Sequence, residues 1–153
     1  MQTTLNLWYS HPEDLPAQIA AETCEQILST EELARSKAFR FEKHRREYLT
    51  TRFLVRNALS HYHPFPPEEW KFQANPYGKP AVTQDCDLRF NLSNTQELVV
   101  CLIGKDIELG IDIEPLHRAG EVAKVAGEVF SSLELAQLEV LSDPDRLDRA
   151  LSL

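Results

Sequence analysis

Two carboxylates stand two residues apart in Gly110-Ile111-Asp112-Ile113-Glu114. On an extended chain side chains alternate faces, so Asp112 and Glu114 share one face while Ile111 and Ile113 take the other. Two carboxylates this close repel unless a cation lies between them. Hard oxygen donors suit Mg2+, which takes one or two carboxylates and fills its shell with water and phosphate oxygens. A half-exposed strand with an acidic outer face fits the same pattern. Lys79 lies in Asn75-Pro76-Tyr77-Gly78-Lys79-Pro80. A lysine on a turn held by Pro and Gly meets a phosphate as a point charge, or is simply solvated. Ser93 and Asn94 lie in Phe90-Asn91-Leu92-Ser93-Asn94-Thr95. Small polar groups at a strand end bind phosphate or cap the turn. The histidines show no metal or triad spacing, and the scattered Cys24, Cys86 and Cys101 form neither a disulfide framework nor a zinc pattern.

The elements that must carry these residues are legible in outline. Residues 5–9 predict an opening strand and 16–28 a helix. Ser29-Thr30-Glu31-Glu32 is a capping box, so a short helix should run to about Lys37. A longer helix is expected from about Glu42 to Tyr62. Tyr48, Val55, Leu59 and Tyr62 form its apolar stripe, and Arg45, Arg52 and Arg56 a basic one. Trp70–Ala74 and Leu88–Leu92 read as strands. Pro80 should prevent regular pairing after the turn. Leu98–Gly104 and Ile107–Glu114, flanking Lys105-Asp106, read as a β-hairpin. Ser131-Ser132-Leu133-Glu134 opens another helix. A last one starts at Asp143-Pro144-Asp145 and has no stop signal at Leu153, so the chain is expected to be cut inside an element.

Charge is unevenly spread over the 153 residues. Residues 35–56 hold eight basic and two acidic side chains, a net of +6, so the remainder of a chain at −8 carries −14. A basic window on an acidic protein favours one anionic ligand and argues against nucleic acid. No apolar run reaches membrane-spanning length, and the first residues lack a signal-peptide layout; a cytoplasmic protein away from membranes is expected.

The order and spacing of Asn-Pro-Tyr-Gly-Lys-Pro, Phe-Asn-Leu-Ser-Asn-Thr and Gly-Ile-Asp-Ile-Glu after a basic helix, followed by Phe130-Ser131-Ser132-Leu133-Glu134, resemble the Sfp-type 4′-phosphopantetheinyl transferases over nearly the whole chain. The resemblance implies an α+β fold built as a pseudo-twofold pair of α+β halves, with the second half incomplete. Residues 1–103 would be the first half, binding coenzyme A phosphates. Residues 104–153 would begin the second, with the metal-binding strand. It implies Lys79, Ser93 and Asn94 as phosphate contacts, with Arg45 or Arg46 at the 3′-phosphate and Arg35 and Lys37 upstream. Asp112 and Glu114 would hold Mg2+. The implied reaction moves the 4′-phosphopantetheine group of coenzyme A onto a serine of an apo-acyl or peptidyl carrier protein, releasing 3′,5′-ADP. At full length the enzyme would be a monomer. Asn94 departs from the family's usual histidine. The family's Trp-x-x-Lys-Glu-like motif does not occur up to Leu153, so the catalytic base is expected beyond it and the chain alone is expected to be inactive. A non-catalytic coenzyme A or carrier-protein binding module is the alternative.

Overall fold

The computed structural model describes residues 4–14, 23, 26–76 and 78–115. The helix expected over 16–28 lies largely outside them, and both elements expected after residue 130 wholly so. The chain divides into two compact units, Met1–Ile113 and Glu114–Leu153.

The first unit is mixed α+β, as expected. Strands are β1 (Asn6–Ser10), β2 (Phe72–Ala74), β3 (Pro80–Val82), β4 (Leu88–Asn94) and β5 (Val99–Lys105). The two α-helices that lie wholly within the described residues are α1 (Thr30–Lys37) and α2 (Glu42–Tyr62). One antiparallel sheet has the order β1-β5-β4, and β2 and β3 form a separate antiparallel pair. No helix among the described residues is long and apolar enough to cross a membrane.

The capping box forms as its sequence dictates. The Ser29 hydroxyl accepts from the Glu32 N–H and the Glu32 carboxylate accepts from the Ser29 N–H. Helix α2 lays Leu54, Val55, Ala58 and Leu59 against Leu88, Phe90, Val99, Cys101 and Ile103 of the sheet, with Trp70 closing the core. Cys101 is one of these small buried groups, and burial pushes its thiol up to about 12. Leu88, Phe90, Leu92 and Asn94 alternate onto the helix side of β4, while Asn91 and Ser93 take the other face.

The predicted hairpin of Leu98–Gly104 with Ile107–Glu114 does not form: 107–115 contains no strand. Strand β5 is central, paired with β1 along one edge and β4 along the other, so no edge remains for it. The hairpin partner of β5 is β4, joined through Thr95–Leu98. After β5 the chain turns at Asp106, whose backbone is left-handed (φ 46°) and whose N–H donates to the Asp87 carbonyl. It then folds over the outer face of the sheet. A Cβ on Gly104 would stand 2.8 Å from Ile107 Cγ2 and 3.1 Å from Leu5 Cδ2, so only glycine admits this close passage.

Pro80 does pair, opposite Ala74 at the start of β3. A proline is tolerated there because the first residue of a strand need not donate to the ladder. The 75–80 turn is otherwise as read. Gly78 has φ 81°, its N–H donates to the Asn75 carbonyl, and Asn75 Oδ1 accepts from the Lys79 N–H.

Candidate functional site

Helix α2 turns a stripe of side chains at helical spacing (His44, Glu47, Tyr48, Thr51 and Arg52) toward the β3 and β4 strands. With Arg35, Phe39, Pro80, Leu92 and Asn94 they line a concavity of about 350 Å³. Arg35, Tyr48, Arg52 and Pro80 also border an adjoining one of about 630 Å³ that reaches Ser29, Gly78 and Trp70. The two form a groove along the helix side of the unit. The Arg35 and Arg52 guanidinium carbons lie 5.5 Å and 5.3 Å from the Tyr48 ring centroid. Two guanidinium groups against one aromatic ring give the groove cationic donors beside a flat apolar surface.

The basic stripe splits into different fates. Arg56 is buried and donates to the Pro67 and Trp70 carbonyls, each at 2.8 Å, and to Glu32 at 2.7 Å. It is a structural strut, not a ligand contact. Arg52 Nε lies 3.7 Å from the same Glu32 carboxylate. Arg45 is engaged one turn back with Glu42, at 3.3 Å. Arg46 is half-buried and stands roughly 160° round α2 from Tyr48 at about 3.6 residues per turn. Neither Arg45 nor Arg46 lines the groove; Arg35 does.

Ser93 and Asn94 part company because adjacent residues of a strand face opposite ways. Asn94 enters the groove, where its amide donates to Glu47. Ser93 points to the other face. Its hydroxyl donates to Asp112 Oδ1 at 2.8 Å and accepts from the Ile113 N–H at 3.1 Å. The Ile113 N–H also reaches Asp112 Oδ1, at 3.0 Å. Asp112 is exposed. Lys79 Nζ donates to the Leu109 carbonyl, and Asn91 Nδ2 donates to the same oxygen at 2.9 Å. These side-chain bonds, in place of a strand ladder, hold 107–113 beside β4. Glu114 is exposed and begins the second unit.

Thus Ser93, Asp112 and Lys79 gather on one side of β4, and Asn94, Arg35 and Tyr48 on the other. Sequence reasoning gave Tyr48 only to the apolar stripe, counted Glu47 only as charge, and passed over His44. The helical spacing 44, 47, 48, 51, 52 was the signal that unites them.

Residues 14–105 match the family model described as 4′-phosphopantetheinyl transferase, N-terminal, and the chain belongs to that family. It is 31% identical over 148 residues to the 4′-phosphopantetheinyl transferase HetI of a Nostoc species, covering 93% of this chain and 60% of that protein. It is 32% identical over 132 residues to the transferase psf-1 of Bacillus pumilus, covering 86% of this chain and 54% of that one. The chain therefore spans little more than half the length of these two relatives. A holo-(acyl-carrier-protein) synthase from Bacillus anthracis, solved in complex with CoA (3′,5′-ADP), has a similar fold. The match has a TM-score of 0.55 at 15% identity and covers 66% of this chain and 93% of that one.

Proposed function

We propose that the protein transfers the 4′-phosphopantetheine group of coenzyme A to a serine of an apo-acyl or peptidyl carrier protein, and that this chain supplies the coenzyme A side of the site. The observation that carries the reading is the Ser93–Asp112 hydrogen bond at 2.8 Å beside the groove entered by Asn94. It puts a carboxylate fit for a metal one residue along the strand from a basic, aromatic groove fit for a nucleotide. A ligand touching both must pass round the end of β4.

In this reading the adenosine part lies along Tyr48, with Arg35 and Arg52 meeting phosphate. Lys79 and Ser93 face the pyrophosphate. For Lys79 this requires the ammonium to share its donors between the Leu109 carbonyl and an incoming oxygen, which its three N–H groups permit.

The donors present fit Mg2+. Asp112 is exposed and oriented by Ser93 and the Ile113 N–H, and Glu114 follows two residues along the chain. Among the described residues no group of three His, Cys, Asp or Glu side chains gathers to hold a metal, so the shell would be completed by water and phosphate oxygens, the usual magnesium pattern. When bound, Mg2+ would neutralise the pyrophosphate and the charge developing on it.

The carrier serine oxygen attacks the β-phosphorus. A new P–O bond forms as the bridging pyrophosphate bond breaks, 3′,5′-ADP departs, and the serine proton passes to a base outside the described residues. A cytoplasmic setting is supported by the free thiols Cys86 and Cys101.

The test is release of 3′,5′-ADP from coenzyme A and apo-carrier protein in magnesium buffer, using the enzyme at the full length of its relatives. Asp112→Ala should lower turnover at least a hundredfold, the scale of lost electrostatic stabilisation. Undiminished turnover by that variant contradicts the metal assignment. Coenzyme A binding without any turnover by the full-length protein would favour a binding module.

A further inference from the structure

Glu47 is a carboxylate set among groups that attract anions. It accepts a hydrogen bond from the Asn94 amide, and its Oε2 lies 3.7 Å from His44 Nδ1. Its side chain is 18% exposed, so the charge is only partly screened. Around it the groove offers Arg35, whose guanidinium meets no carboxylate among the described residues, and Arg52, which already lies beside Glu32. Asn94 has two N–H donors, and one of them is committed to Glu47.

We propose that Glu47 is a specificity-determining residue of this groove, and that it weakens the preference for a nucleotide carrying a second phosphate group. The proposal rests on reading the groove as the nucleotide site of coenzyme A. A phosphate entering at Asn94 meets the Glu47 carboxylate across a few ångströms and must compete with it for the amide. Like charges at that distance repel, and a dianionic phosphate monoester suffers most. Phosphate recognition then falls to Arg35 and Arg52, and Asn94 contributes little while Glu47 holds it.

The measurement is calorimetric binding of 3′,5′-ADP and of 5′-AMP, which lacks the second phosphate, to the intact chain, with Glu47→Gln and Glu47→Ala as variants. Circular dichroism checks that each variant is folded. Glu47→Gln keeps the shape and removes the charge; Glu47→Ala also frees the Asn94 amide. Both variants should raise the preference for 3′,5′-ADP over 5′-AMP about tenfold, the scale of one like charge removed from a partly screened site. Raising the salt should narrow the gap between wild type and variants. If both nucleotides bind but their affinity ratio stays the same in both variants, Glu47 has no such role. If neither nucleotide binds the wild type or the variants, the reading of the groove itself fails, and the proposal with it.

Discussion

At the scale of single residues, the buried Arg56 shows how a basic side chain can serve the fold instead of a ligand. It is 2% exposed and spends its hydrogen bonds on two backbone carbonyls and Glu32, joining α1, α2 and the approach to β2. Its guanidinium carbon also lies 5.1 Å from the Phe72 ring centroid. Its loss strands the Pro67 and Trp70 carbonyls, while Glu32 keeps Arg52 at 3.7 Å and the Ser29 N–H, so the cost is that of unsatisfied buried acceptors, about 1–3 kcal/mol. Arg56→Ala should therefore lower unfolding stability by about that much in urea titration, without a change in slope. A loss below about 1 kcal/mol would mean that water replaces the guanidinium. Residue type and spacing disclosed the basic stripe, but not this division of labour. Arg52 and Arg56 are four apart and look alike in sequence. Only the packing of 67–70 against α2 makes Arg56 a strut.

At the scale of elements, legibility follows the range of the interactions. Helix α1 was readable because its capping box is a contact between residues three apart. Ser29→Ala should cost about 1 kcal/mol, the usual value of such a cap. Thermal unfolding of the variant checks this, and an unchanged midpoint would show that the cap is redundant with the Glu32–Arg56 pair. The segment 107–114 was misread because alternation alone cannot tell a paired strand from an extended segment. The alternation is real, since Asp112 is exposed and Ile111 and Ile113 are half-buried. Its partner is another matter: β5 is already flanked by β1 and β4, a fact set by residues far away in the chain. The same alternation on β4 sends Ser93 and Asn94 to opposite faces, so the two-residue phosphate motif of the sequence becomes two separate contacts. Leu5, just before β1, and Leu7 and Tyr9 on its outer face are 50%, 57% and 67% exposed, and no sequence feature announced it.

At the scale of the molecule, the basic window of residues 35–56 on an acidic chain resolves into a groove, a strut and a solvated remainder. The family identification came from motif order, which survives even where an element was misread. The placement of coenzyme A is the claim on which the rest depends, and amide chemical shifts of the isotope-labelled protein titrated with coenzyme A in magnesium test it most directly. The expected shifts lie at Arg35, at residues 44–52 of α2, at Lys79, and at Ser93, Asn94 and Ile113, with Leu5 and, in β1, Leu7 and Tyr9 unmoved. Saturable shifts confined to the β1 face, or none at any concentration, would contradict the account.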